Sequence, residues 1–266
     1  MKRVMSADNA RFKALLKLAE SSRERKKHGL SLLDGVHLVA AYRQHVGMPE
    51  QIVVSDTGAA NPEIQALLGS IAPLEPLLLS DVLFNRLSQV ATSTGLLVAV
   101  RTPRPPVVPA DIDACVMLEE IQDPGNLGSI LRSAAAAGIT QIYLSKDSVH
   151  AWSPRVLRAG MGAHFMLQIY EHCDLPELAR AFTGMVIATS HRAKQTVYEA
   201  DLAGKVALVF GNEGAGVSPA LVAAAHALVA IPMPGNAESL NIAAAAAICL
   251  FERVRQRAVR QSSPVT

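Results

Sequence analysis

Continuous apolar runs that end in polar, glycine-rich loops dominate the second half of this chain, and they constrain its fold more than any other feature. Residues 206–210 and most of residues 114–119 are apolar, whereas a strand with one solvent-facing side would alternate. Uninterrupted apolar strands are typical of a parallel sheet covered by helices on both faces. Ligands of such sheets bind beyond the carboxyl ends of the strands. The second half is therefore predicted to be an α/β domain with its site in those loops.

The hydrophobic periodicity of the second half predicts alternating strands and helices. The predicted strands occupy residues 114–119, 141–144, 165–170, 185–189, 206–210 and 227–231. The predicted helices occupy residues 126–137, 154–159, 175–181, 219–225 and 242–257.

The first hundred residues alternate in the same way, which predicts a separate, smaller α/β domain. Its predicted strands occupy residues 30–35, 51–55, 76–79 and 95–101, and its predicted helices occupy residues 10–20, 36–45, 62–68 and 81–87. Asn61 is the expected N-cap of the helix at 62–68. Four prolines between residues 101 and 110 favour an extended linker. The predicted organisation is a domain at 1–100, a linker at 101–111 and a domain at 112–266.

Composition excludes several classes of protein. Half of the 266 residues are hydrophobic but only 4% are aromatic, so stacking of bases on aromatic side chains is not expected to be the main nucleic-acid contact. The three cysteines are distant from one another and set among apolar residues, which favours buried thiols in a reducing cytoplasm over a disulfide or zinc framework. The sequence shows neither a signal peptide nor an apolar run long enough to span a bilayer, so we expect no membrane association.

The formal charge is unevenly distributed. Residues 1–28 carry nine Lys or Arg against three acids, a charge of +6, whereas the remainder carries −4. A basic arm on a mildly acidic body favours binding of a polyanion such as RNA, although a solvated helix face is the alternative. The candidate RNA-binding residues are Arg11, Lys13, Arg23, Arg25, Lys26 and Lys27.

Three loops of the second half have unusual compositions. In the first, residues 123–132, Asn126 is expected to cap the following helix and Gly128 leaves its first turn bare, which suits an anion. Arg132 lies nearly two turns further along, on a rotated face. A capped helix with a surface arginine explains the same residues without any function.

The second loop, residues 211–218, places three glycines between a strand and a helix and so permits close backbone approach to a ligand. Its spacing matches neither the dinucleotide fingerprint nor a phosphate-binding loop, which disfavours an enzyme that uses NAD or ATP. Glu213 either binds a donor group or favours the nearby helix N-terminus.

The third loop, residues 231–243, is stiffened by Pro232 and Pro234 and leads into an alanine-rich helix. Ser239 or Asn241 can cap that helix, but capping explains only one of the two.

Taken in order, N-x-G-x-x-x-R, G-N-E-G-x-G and P-x-P-G-x-x-x-S-L-N resemble the three motifs of the SpoU/TrmH branch of the SPOUT superfamily, which are RNA ribose 2′-O-methyltransferases. The resemblance covers residues 112–258. The sequence from Asn9 to His37 is similar to the substrate-binding domain, related to ribosomal protein L30e, that precedes many such enzymes.

The resemblance implies S-adenosylmethionine as methyl donor, no metal, an RNA substrate and a homodimer, with the C-terminal helix threaded through a deep trefoil knot. The implied donor-binding residues are Thr189, Gly211, Gly216, Ile231 and Leu240. The residues implied to lie near the reacting groups are Asn126, Arg132, Glu213, Ser239 and Asn241.

The family's mechanism assigns activation of the ribose hydroxyl to the arginine that matches Arg132. A guanidinium is very hard to deprotonate, so we instead expect Arg132 to clamp the neighbouring phosphate and stabilise the developing alkoxide. Ribosomal RNA is preferred over transfer RNA as the substrate by analogy of the first domain.

Two alternatives from other classes stay open at the level of sequence. The first is a catalytically silent RNA-binding protein with the same fold, and the second is a nucleotide-dependent enzyme that uses the loop at Gly211. His37, His164 and His191 lack the spacing of metal ligands and are expected to be structural or solvent-facing.

Overall fold

The structure, a computed structural model, describes residues 1–88, 93–109 and 111–262. The chain divides into two compact units. The first comprises Met1–Pro103 and Trp152–Phe165, and the second comprises Arg104–Ala151 and Met166–Thr266. The sequence places residues 152–165 in the second domain, whereas in the structure they belong to the first unit.

The first unit is built on a five-stranded mixed sheet. Its strands are β1 (Lys2–Val4), β2 (Leu30–Asp34), β3 (Gln51–Ser55), β4 (Leu77–Leu79) and β5 (Leu96–Arg101), in the order β1-β4-β3-β5-β2. Strand β5 runs antiparallel to β2 and β3, and the other pairs are parallel. Its helices before residue 104 are α1 (Ala10–Glu20), α2 (Ser22–His28), α3 (Val36–His45), α4 (Asp56–Ala59), α5 (Pro62–Ser70) and α6 (Asp81–Leu87).

Helix α1 covers one face of this sheet because its apolar residues recur at helical spacing. Phe12 and Leu15 are fully buried and pack with Val53 and Leu97 of the sheet. Asn61 caps α5, as predicted, by accepting hydrogen bonds from the N–H groups of the first turn.

Helix α2 lies between the helix predicted at 10–20 and the strand predicted at 30–35, where the sequence predicts no helix or strand. Its residues are polar on every side, so no apolar periodicity marks it. The caps identify it instead: the Ser21 hydroxyl accepts a hydrogen bond from the Glu24 N–H, and Gly29 ends the helix in the left-handed region at a φ of 62°.

The second unit is built on a seven-stranded sheet in which every pair is parallel, as predicted. Its strands are β6 (Ala114–Leu118), β7 (Gln141–Ser145), β8 (Gln168–Cys173), β9 (Met185–Thr189), β10 (Gln195–Thr196), β11 (Val206–Phe210) and β12 (Ala227–Ala230), in the order β10-β12-β9-β11-β6-β7-β8. The helices from residue 104 onward are α7 (Pro124–Ala136), α8 (Pro154–Gly160), α9 (Leu175–Ala181), α10 (Pro219–Ala224) and α11 (Ile242–Ser262). Of these, α8 belongs to the first unit.

The predicted strand at 165–170 is wrong at its start. Ala163–Met166 form a 3₁₀ helix, and β8 begins only at Gln168. Phe165 belongs to the first unit, where its ring and the Tyr42 ring form an edge-to-face pair with centroids 5.3 Å apart, and α8 packs against β2. The apolar run that resembles one long strand therefore divides its residues between two cores.

The cysteines are all free. Cys115 and Cys249 are buried, and burial raises the pKa of both thiols to about 12, whereas Cys173 is half-buried. Within the described residues, no group of His, Cys, Asp and Glu side chains could hold a metal ion. None of the helices in this part of the chain is both long and apolar enough to cross a membrane.

Candidate active site

The three unusual loops meet at one edge of the second sheet. They follow β6, β11 and β12, and parallel strands present their carboxyl ends on the same side. Strand β9 lies between β11 and β12, so the turn after Thr189 opens onto the same edge.

The first loop starts α7 earlier than the sequence predicts. The helix begins at Pro124, and the carboxylate of Asp123 accepts a hydrogen bond of 2.7 Å from the Asn126 N–H. The predicted cap at Asn126 is therefore wrong, because Asp123 precedes a proline that suits the first helical position and caps the helix itself. Capping by Asp123 leaves the Asn126 side chain available for other contacts.

The side chain of Asn126 joins all three loops. Its Nδ2 donates to Glu213 Oε1 of the second loop at 3.0 Å, and its Oδ1 accepts from Asn241 Nδ2 of the third loop at 2.8 Å. Because a carboxylate only accepts, Glu213 determines which way the Asn126 amide points. Three of the five residues implied to lie near the reacting groups thus form one hydrogen-bonded chain.

Asn241 also explains the start of the long helix. Its Oδ1 accepts hydrogen bonds from the N–H groups of Ala243 and Ala244 at 2.9 and 3.4 Å. Of the two candidate caps, Asn241 is therefore the one that caps α11. Its Nδ2 remains directed to Asn126, so one side chain has both a structural and a site role.

The second loop is compact because glycines allow its backbone to double back. The backbones of Asn212 and Gly216 exchange two hydrogen bonds, and a Cβ added to Gly211 would lie 2.3 Å from the Gly216 carbonyl. Gly216 itself has a φ of 72°. Two polar anchors hold the loop: Asn212 Nδ2 donates to the Glu120 carbonyl, and the Glu119 carboxylate accepts from Ser218.

A cavity of about 410 Å³ lies between the second loop, the third loop and the turn after β9. Four of the five implied donor-binding residues line it; the fifth, Gly211, is not among the lining residues and lies against the Gly216 backbone. Val217, Val229 and Ile242 add apolar wall. The cavity-lining residues among those predicted for the site are Thr189, Gly216, Ile231, Leu240, Glu213 and Ser239.

Two further lining residues, His191 and Arg192, were not expected to act here from the sequence. They follow β9 in a turn that has no glycine-rich or motif-like signature. Their position after a central strand of a parallel sheet is the signal that could have found them.

Arg132 does not join the hydrogen-bonded chain. It is exposed on α7, six residues after Asn126. At about 100° and 1.5 Å per residue, it lies on a different face of the helix from Asn126 and about 9 Å further along the axis. In the described part of the chain its guanidinium has no hydrogen bond and no ion pair. The structure thus brings Asn126, Glu213 and Asn241 together and leaves Arg132 apart.

The candidate RNA-binding residues lie on α1 and α2, and all but one are exposed. Arg25 is only 6% exposed, and its Nη1 donates to the carbonyls of Leu18 and Ala19 at the end of α1. Its prediction as an RNA contact is therefore wrong: the guanidinium ties the two helices together, and burial lowers its pKa. Lys13 forms an ion pair with Asp8 at 2.8 Å.

Comparison with known proteins gives a family for this arrangement. The sequence model of the SpoU rRNA methylase family matches residues 113–251, which include all three loops. This chain belongs to that family. Its match to relatives extends beyond the family's own segment and includes the first unit.

Two relatives align over nearly the whole chain. An uncharacterized tRNA/rRNA methyltransferase of Synechocystis is 33% identical over 96% of this chain and 94% of its own length. The 23S rRNA (guanosine(2553)-2′-O)-methyltransferase RlmP of Bacillus subtilis is 29% identical over 94% of this chain and 98% of its own.

Solved structures concerned with RNA methylation superpose on all or part of this chain. An RNA 2′-O ribose methyltransferase superposes with a TM-score of 0.84 at 31% identity, over 96% of this chain and 99% of that one. The AdoMet-bound rRNA methyltransferase of Sinorhizobium meliloti superposes with a TM-score of 0.82 at 27% identity, over 96% and 97%. A structure that concerns 2-OH methylation of C/U34 on tRNA matches only 55% of this chain but 97% of its own, with a TM-score of 0.51 and 29% identity.

Proposed function

We propose that this protein transfers a methyl group from S-adenosylmethionine to the ribose 2′-hydroxyl of a nucleotide in 23S ribosomal RNA. The observation that carries the proposal is the chain Glu213–Asn126–Asn241, which holds three family motifs together beside a cavity of about 410 Å³. Membership of the SpoU rRNA methylase family supports the reaction class.

The cavity fits the methyl donor in its size and in the character of its walls. Ligand cavities of this size are ordinary for nucleoside-sized molecules. Ile231, Leu240 and Val229 provide apolar wall for adenine, and Gly216 leaves backbone accessible at a position without a side chain. Polar Glu213 and Ser239 line the same space. S-adenosylmethionine, when bound, supplies the methyl group on its sulfonium.

The residues of this chain act on the reaction chiefly by positioning. Methyl transfer needs the hydroxyl oxygen in line with the bond that breaks, so a fixed orientation lowers the barrier. The Asn126 amide, held between Glu213 and Asn241, cannot rotate without losing two hydrogen bonds. We assign to this pair of contacts and to Ser239 the orientation of the ribose, and to Arg132 the clamping of the adjacent phosphate.

Ribosomal RNA is favoured over transfer RNA by the names of the relatives. RlmP, named for 23S rRNA, aligns with both units of this chain, whereas RlmB of Xylella fastidiosa, named for the same RNA, and the structure that concerns tRNA each match about half of it. We propose that the first unit binds rRNA as the L30e-like domain, through the exposed basic residues of α1 and α2, and that the protein acts in the cytoplasm.

We also propose that the protein works as a homodimer. Helix α11 buries one side in the second unit but exposes apolar residues on another, including Phe251 at 49% and Val254 at 38%. An exposed apolar stripe on a long helix is suited to association with a second copy.

The direct test is methyl transfer from labelled S-adenosylmethionine to 23S rRNA taken from cells that lack this protein. We expect incorporation into 23S rRNA and not into tRNA, with 2′-O-methylguanosine found by mass spectrometry of the digested RNA, since RlmP of Bacillus subtilis is named for guanosine. Asn126→Ala should slow transfer about 100-fold, because Glu213 and Asn241 lose the side chain that joins them and a small misplacement of the reacting groups costs about this much. Asn85→Ala, an exposed asparagine of α6, is the matched control.

Other results identify the alternatives. RNA binding without transfer would show a catalytically silent protein. Calorimetric binding of NAD or ATP in preference to S-adenosylmethionine would show a nucleotide-dependent enzyme. Incorporation of the labelled methyl group into tRNA would show that the substrate is tRNA.

A further inference from the structure

A basic turn, residues 190–194, forms part of the wall of the donor cavity. It carries His191, Arg192 and Lys194, and the first two line the cavity. Among the described residues that line it, Arg192 is the one permanently cationic side chain and Glu213 the one acidic side chain. The three family motifs therefore contribute no cation to this cavity.

The basic turn is held in place at both of its ends. The Ser190 N–H donates to the Val229 carbonyl at 2.9 Å. The Ala193 N–H donates to the Ser190 carbonyl at 3.1 Å, and this hydrogen bond closes the turn. Directly after the turn, β10 pairs in parallel with β12. Since β12 leads into the third loop, the turn has a defined position relative to the cavity before any ligand binds, which lowers the ordering cost of binding.

The guanidinium of Arg192 has unused donors. Its Nε donates to His191 Nε2 at 3.3 Å, which orients the side chain. No ion pair with a carboxylate is found for Arg192 in the described residues, whereas Arg101, Arg253 and Arg257 each have one. A planar guanidinium with free N–H groups suits an oxyanion, because two parallel hydrogen bonds form to carboxylate or phosphate.

We propose that Arg192 binds an oxyanion at the donor cavity, with His191 orienting it and Lys194 adding positive charge. Two sources present that chemistry: the carboxylate of the donor's methionine portion and an RNA phosphate near the target ribose. The inference rests on the proposed function, and it assigns Arg192 as a residue that positions one of the two substrates.

Calorimetry with the full chain tests the proposal and separates the two sources. The variant is Arg192→Gln, and the probes are S-adenosylmethionine and 5′-methylthioadenosine, which lacks the amino acid portion. If the donor's carboxylate is bound, affinity for S-adenosylmethionine falls about fivefold to tenfold and affinity for methylthioadenosine is unchanged. If an RNA phosphate is bound, both affinities are unchanged, and binding of 23S rRNA weakens with a log–log salt slope smaller by about one.

Arg180→Gln on α9 is the control, because it removes the same charge from another exposed arginine of the second unit. Equal affinities of the two variants for S-adenosylmethionine and for rRNA would overturn the proposal. A wild-type protein that binds neither substrate would overturn the proposed function as well, whereas wild-type transfer with an unaffected Arg192→Gln variant removes this inference alone.

Discussion

The Asn126 amide shows why a single residue type is required at the centre of the site. It donates to Glu213 and accepts from Asn241, and only an amide offers a donor and an acceptor at equal reach. An aspartate there would face the Glu213 carboxylate and repel it. The pairings join residues 87 and 115 positions apart in sequence, so no local spacing could reveal them.

At Arg132, we predict that Arg132→Ala keeps donor binding and loses methyl transfer. The side chain is exposed and outside the hydrogen-bonded chain, so its removal leaves the donor cavity intact. Loss of a charged contact made to the reacting RNA costs about 100-fold in rate. Single-turnover transfer and calorimetry with S-adenosylmethionine measure the two quantities. An unchanged transfer rate, equal to that of Arg180→Ala, would contradict the role.

Among elements, the prediction works where apolar residues repeat and fails where they do not. Helices α1, α3, α6 and α9 lie at the predicted residues because each buries an apolar face. Helix α2 is polar on every side, and β1 and β10 have three and two residues, too few to show a period. The meeting of the loops follows from the parallel sheet, whereas the basic turn at the cavity carries no motif.

For α1 and α2, we predict that Lys26→Glu with Lys27→Glu weakens RNA binding. Both side chains are exposed on α2, and reversal of two charges removes up to two phosphate contacts, which lowers the log–log salt slope by up to about two. Filter binding at several salt concentrations measures the slope, and donor binding should stay unchanged. Arg43→Glu with Arg180→Glu changes the net charge equally and is the control. If the Lys26/Lys27 variant binds RNA no more weakly than this control, α2 is only a solvated surface.

For the whole molecule, we predict that association runs through α11. Phe251→Glu places a charge in the exposed apolar stripe, so a wild-type particle of two chains should become one of a single chain. Light scattering after size exclusion gives the mass. Val82→Glu, at a residue 75% exposed in the first unit, is the matched control and should leave the mass unchanged. A wild-type protein that is monomeric at micromolar concentration would contradict the prediction.

The threading of α11 through a knot stays a prediction from the family resemblance. No residue pattern would have suggested it, since chains as a rule do not pass through their own loops. The proline-rich segment predicts a boundary between two domains, but it carries no sign that residues 152–165, which follow it in sequence, pack with the first unit.

The two hydrogen bonds of Asn126 connect the three loops directly to one another. A ligand that displaces Glu213 would disturb its hydrogen bond to Asn126, and through Asn126 the hydrogen bond to Asn241. Asn241 caps the 21-residue helix α11. We therefore expect occupancy of the cavity to be linked to the same helix that we expect to carry the contact with a second chain. Because such linkage is reciprocal, association of two chains would change the affinity for the donor by the same factor by which the donor changes the affinity of the two chains for each other.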